Sequence, residues 1–173
     1  MSVSRGTAAV LLAASVAVAT AGVVSAADQP GSRVTVVFVE PQRFTDIQAS
    51  AARSEKGSQA ILDEIERFMR ATGEAQIPAG FTLDIRVTDI DLAGEFEPVR
   101  GPQFERTRFM RDVYWPRFDL GFVLRDAEGR VVKEERRTLR DLNYLTRSRL
   151  VSDDYLRYEK ALLRDWLRQE FPR

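Results

Sequence analysis

Between Phe81 and Leu92 the sequence alternates, then alternates out of step, and no other feature restricts the fold as tightly. Phe81, Leu83, Ile85 and Val87 are separated by Thr82, Asp84, Arg86 and Thr88. That is the two-residue period of a strand with one buried face. After Val87 the phase inverts: Asp89 and Asp91 take the apolar positions, and Ile90 and Leu92 the polar ones. A slip of one residue exchanges the two faces of a strand. A β-bulge near Val87–Asp89, or an exit from the covered region, is therefore expected.

Other segments surround this strand. Arg33–Val39 is a β-branched run between Pro30-Gly31 and Glu40-Pro41, apolar on both faces, and reads as a central strand covered on both sides. From Ser58 the period becomes helical, with Ile61, Ile65, Phe68, Met69 and Thr72 on one stripe and Gly73 as the expected terminator. Residues 93–116 form a long irregular connection carrying Phe96, Phe104, Phe109, Tyr114 and Trp115, with short strand pairing expected within 107–113. Phe118, Leu120, Phe122 and Leu124 mark another one-faced strand. Asp126-Ala127-Glu128-Gly129 then reads as a hairpin turn. Its partner, 130–142, is charged enough to be an edge strand. A final helix is expected from a Ser152 cap, with Tyr155, Tyr158, Leu162 and Trp166 on its apolar side.

The order is strand, helix, strand, strand, strand, helix. It predicts an α+β domain over 28–173, with about four mostly antiparallel strands and two helices on one face. The initial strand-helix-strand unit is either parallel or split by another strand.

Chemistry is narrowed by what the chain lacks. Cysteine and histidine are both absent, which removes thiol chemistry and the usual imidazole-based catalytic and metal-binding arrangements. No cofactor and no metal are expected. The 26 basic and 26 acidic residues cancel overall but are unevenly spread. Segment 40–99 holds 6 basic against 12 acidic residues, and 100–149 holds 13 against 8.

The first 27 residues supply an address. Met1–Arg5 is positively charged, Thr7–Val24 carries no charge, and Val24-Ser25-Ala26-Ala27 offers small residues for a signal peptidase. A cleaved signal peptide over 1–27, a start at Ala27 or Asp28, and a periplasmic location are expected. The processed protein would not be integral to the membrane.

Three fragments in this order resemble the exported bacterial proteins grouped as domain-of-unknown-function family 3016. They are Val34-Thr35-Val36-Val37-Phe38, Val87 through Glu95, and Tyr158-Glu159-Lys160 through Asp165-Trp166. The resemblance implies an envelope location and one domain, and implies no catalytic residue, substrate or cofactor.

Candidate binding residues follow from the side chains themselves. Asp89, Asp91 and Glu95 could hold a hard cation, act as an acid/base pair, or cap a loop. Arg136 and Arg140, four apart on a strand, point the same way, while Arg137 points opposite. With Arg147 and Arg149 they make the best anion-binding group. Trp115 and the nearby phenylalanines read as a lid over the open sheet face, or else as a docking surface. The leading expectation is a non-enzymatic envelope binding or assembly-accessory module. Its partner would be another envelope protein or an anionic envelope component, and not nucleic acid. The alternative is a carboxylate-dependent hydrolase of envelope polysaccharide using Asp89, Asp91 or Glu95.

Overall fold

A computed structural model describes residues 32–51, 54–147 and 153–172. The leader at 1–27, Arg149 and the Ser152 cap lie outside the described residues. In chain order the elements are β1 (Val34–Phe38), α1 (Glu55–Gln76), β2 (Thr82–Asp91), β3 (Glu95–Phe96), β4 (Arg108–Phe109), β5 (Arg117–Arg125), β6 (Val131–Arg140) and α2 (Arg157–Glu170). Four strands form one sheet in the order β1-β2-β5-β6, and β3 pairs with β4. β1 runs parallel to β2, while β2-β5 and β5-β6 are antiparallel. The fold is α+β.

Both helices pack on the same face of the sheet. Leu83, Ile85, Val87 and Ile90 of β2, with Phe118, Leu120 and Phe122 of β5, meet Ile65 and Met69 of α1 and Leu163, Trp166 and Leu167 of α2 in one buried cluster. Each such side chain contributes roughly 1.5–3 kcal/mol when fully buried. The opposite face is not covered by a helix, which corrects the expectation for β1. Val34 and Val36 are buried while Thr35 is exposed, and β1 lies at the sheet edge. Its β-branched composition serves the pleat, and one layer of helix suffices.

The inverted pattern in β2 resolves as a bulge. Val87 pairs with Leu120 and Asp89 with Asp119, so the register shifts at Thr88. Ile90 and Leu92 thereby keep to the core, at 0% and 2% exposure. Asp89 and Asp91 are turned to the uncovered face.

α1 begins earlier than its apolar stripe suggests, because the Ser54 side chain accepts the Gly57 N–H and caps it. Gly73 does not end the helix, which continues to Gln76. A Cβ at Gly73 would sit 3.2 and 3.3 Å from the two methyls of Val34, so its role is close approach of helix to strand. α2 starts at Arg157, with Asp154 accepting the Leu156 N–H just ahead of it. The hairpin forms as expected, with Gly129 at φ 79° and the Asp126 carboxylate accepting the Glu128 and Arg130 N–H groups.

The 93–116 connection is clamped to the body, and Tyr114 and Trp115 at its end lie against one end of the uncovered sheet face. Its strand pairing joins Glu95-Phe96 to Arg108-Phe109, and is not confined to 107–113. The Gly94 N–H donates to the Tyr114 carbonyl at 2.9 Å, closing the neck. Arg108 donates to the carbonyls of Gly94 and Gln48 and to the Asp46 carboxylate, and its guanidinium lies 4.6 Å from the Phe96 ring. Phe109 is occupied by Phe104 and Arg100 within the connection.

Candidate functional site

The bulge decides what reaches the uncovered face at one end of the sheet. Cross-strand register places Asp91 beside Arg117, and Arg117 beside Arg140. Residues at the two ends of the 93–116 connection close around this row. The result is a cavity of about 370 Å³ whose walls include Asp91, Glu95, Tyr114, Trp115, Arg117 and Arg140. Four residues singled out in the sequence, Asp91, Glu95, Trp115 and Arg140, thus line one hollow.

Asp89 does not line it. Its carboxylate accepts the Thr45 N–H and hydroxyl, both at 2.7 Å, and pairs with Arg117. Burial pushes this carboxyl up, but the Thr45 hydrogen bonds and the Arg117 guanidinium outweigh burial and hold it below its ordinary value. Arg117 also pairs with Asp119, so one guanidinium is held between two carboxylates. Nothing in the spacing of the sequence marked Arg117. Its importance comes from the register of three strands.

Asp91 is in the opposite situation. Burial, with smaller contributions from Asp46, Asp89 and Glu95, raises its pKa to about 6 against the pull of Arg117. Glu95 is exposed and accepts the Phe96 N–H at 3.1 Å. These carboxylates do not assemble into a cation site. Among the described residues, no group of three or more acidic side chains is placed to hold a metal ion.

The structure divides the arginines. Arg137 faces the helices and forms a forked pair with Glu170 at 2.9 Å for each bond. Arg147 is taken by Asp165 and Asp141. Arg140 enters the cavity wall. Arg136 sits further along the same face, in a shallow groove with Arg86, Thr88, Gly121 and Thr138. The anion-binding group read from the sequence is therefore two separate places on one face.

One buried acid escaped notice in the sequence. Glu159 is 2% exposed within the apolar side of α2. Its Oε1 accepts the Ala93 N–H at 2.7 Å, tying the start of the connection to the helix, while Oε2 has no hydrogen-bond partner among the described residues. Burial pushes its pKa up to about 7. Tyr158, expected in the core, is half-buried edge-on to Tyr144 at 4.8 Å.

Among the described residues no helix is long and apolar enough to cross a membrane. No curated protein and no solved structure matches the chain. Residues 32–169 match the family described as Protein of unknown function (DUF3016), a span running from just before β1 into the last turn of α2. The chain belongs to the DUF3016 family.

Proposed function

We propose that the chain is an exported envelope protein that acts by binding, presenting the cavity at the end of the sheet to a polar group of another envelope component. One observation carries the reading. Asp91, Glu95, Trp115 and Arg140 come from three separate stretches of sequence and line the same hollow. Ligand sites commonly combine a concave surface with a few convergent polar groups. Here two guanidiniums, two carboxylates and two aromatic rings offer donors, acceptors and flat apolar area. The charged start, uncharged run and small-residue ending of 1–27 support export.

Trp115 supplies the test. The other tryptophan, Trp166, is in the core, so a Trp166→Phe protein reports on the cavity alone. Titration with soluble envelope extract is expected to change Trp115 emission saturably, and Arg140→Ala to abolish that change. A silent titration rejects the reading. For the address, fractionation and N-terminal sequencing are expected to find the protein in the envelope, beginning at Ala27 or Asp28.

A second reading has one observation in its favour. Asp91, with its pKa raised to about 6, stands in the cavity with Glu95. Carboxyl groups with differing proton affinities are the working parts of polysaccharide hydrolases, at separations of about 5–10 Å. If envelope polysaccharide is cleaved by the protein and left intact by Asp91→Asn, the hydrolase reading replaces the binding one.

A further inference from the structure

Building on the cavity reading, we infer that the ligand is an anionic oligosaccharide lying across the uncovered sheet face. One acidic group meets Arg140 at the cavity, and another meets Arg86 and Arg136 in the groove beyond it.

Arg86 of β2, Gly121 of β5 and Arg136 of β6 lie side by side across three strands. Adjacent strands are about 4.8 Å apart, which places the two arginine backbones about 10 Å apart. Between them Gly121 contributes no side chain, and the Arg136 Cγ lies 3.7 Å from where a Cβ would be. The groove measures about 940 Å³. Arg136 and Arg140 are four residues apart on one strand, a spacing of about 13 Å. Cavity and groove are therefore two hollows on one face, close enough for one extended ligand to reach both.

The charges on this face leave the same three guanidiniums available. Arg86, Arg136 and Arg140 are exposed, and among the described residues none has a side-chain hydrogen bond or ion pair. Most acids of the face are engaged. Asp89 and Asp119 hold Arg117, Asp119 also accepts the Thr138 hydroxyl at 2.6 Å, and Asp84 lies 3.7 Å from Arg125. Glu134 is the remaining carboxylate in the groove. Guanidinium forks suit carboxylate and phosphate geometry.

The surroundings select the kind of anion. An acyl chain would need a continuous apolar wall, whereas Leu120, Phe122 and Val123 share the groove lining with Asp84, Arg86, Thr88, Asp119, Arg136 and Thr138. A peptide could add as a strand only along the free edge of β6, beside the groove and not in it, since β2 and β5 are paired on both sides. A sugar ring needs a flat apolar platform and acceptors for its hydroxyls. Trp115 and Tyr114 supply the first, and Asp91 and Glu95 the second.

The test uses Trp115 emission in the Trp166→Phe protein. Its probes are galacturonate, an oligogalacturonate of several units, a neutral galacto-oligomer of equal length and a poly-Glu peptide. The acidic oligomer is expected to bind at least about tenfold more tightly than the other three, as one added charge-assisted contact would give. That advantage should shrink as salt rises. Replacing both groove arginines (Arg86→Gln with Arg136→Gln) is expected to bring the oligomer down to the level of single galacturonate and leave galacturonate unchanged. Both sites are exposed, so circular dichroism should show an intact fold.

If galacturonate binds with no gain from length, or the double variant keeps the gain, the reach across both hollows is wrong and the cavity reading survives. Equal binding of poly-Glu overturns the sugar assignment. If no sugar perturbs Trp115 while envelope extract does, the oligosaccharide falls alone. If extract is silent too, both fall.

Discussion

Arg108 and Asp46 are 62 positions apart in the sequence and 2.7 Å apart in the fold, with both side chains almost wholly removed from solvent. The pair fastens the 93–116 connection to the segment after β1, and the same guanidinium accepts no substitute in geometry, since it also reaches the Gly94 and Gln48 carbonyls and the Tyr155 hydroxyl. Removing one member of a buried pair strands the other, at a cost of about 3–5 kcal/mol. Arg108→Met is expected to lower stability by that amount in urea unfolding. Arg108→Lys should recover little, because an ammonium group cannot present the planar fork. The double variant Arg108→Met with Asp46→Asn should be less damaged than Arg108→Met alone.

Glu159 makes stability depend on pH. Its ordinary value is 4.5, and in the fold it rises to about 7, with Arg108 and Arg157 opposing the rise. Between these values the folded protein keeps a proton that the unfolded chain has already released. The Glu159 contribution to stability is therefore fully present below about pH 4.5, falls as pH rises to about 7 and is gone above that. A shift of this size corresponds to about 3 kcal/mol. Glu159→Gln keeps an oxygen for the Ala93 N–H and has no proton to lose. Its urea midpoint should match the parent near pH 4.5 and exceed it at pH 8. Equal slopes for the two proteins would refute the assignment.

Gly94 sits at φ 77°, and a Cβ there would lie 2.9 Å from the Phe109 carbonyl oxygen and 2.7 Å from the Met110 sulfur. Gly94→Ala is expected to cost about 1–3 kcal/mol through backbone strain. The connection should also open, read as faster limited proteolysis within 93–116 while the sheet stays protected.

Deleting Thr88 would remove the extra residue of the bulge. Regular pairing would then keep Val87, Ile90 and Leu92 on the core side and Asp89 and Asp91 on the uncovered face, the same sides the bulge now gives them. Cooperative unfolding is therefore expected to survive the deletion, and Thr88→Ser should leave the thermal midpoint within about 2 °C of the parent as a mild surface change does. Loss of the cooperative transition on deletion would refute the bulge register.

What was legible in the sequence was local. The phase inversion announced the bulge because alternation needs no partner strand to be read. Asp126–Gly129 announced its turn because a positive φ at Gly129 is a property of four residues. Gly73 misled for the same reason. Its neighbours in sequence suggest a helix end, and only the arrival of Val34 shows why a side chain is excluded. β1 misled through composition, since a β-branched run does not reveal how many layers will cover it.

The candidate site was legible as residue types and not as an assembly. Asp91, Trp115 and Arg140 converge only because Asp91, Arg117 and Arg140 fall in one cross-strand row. That row depends on two pairings that no single segment encodes. Arg108 looked like any arginine in a polar loop. Glu159 occupied a position that periodicity assigns to the apolar side of α2 while its chemistry assigns it to water. Charged residues are rarely buried unless something holds them, and the Ala93 N–H that holds this one lies 66 positions away.

A sheet with helices on one side and bare polar strands on the other has a consequence for how long any visitor stays. There is little oily area to hide on that side, so water release cannot be the main gain. An encounter would be won by opposite charge, which speeds arrival more than it slows departure. Ionic strength, rather than warmth, would set the rate of arrival, and the protein could sample many sites along a repetitive polymer without being trapped at any of them.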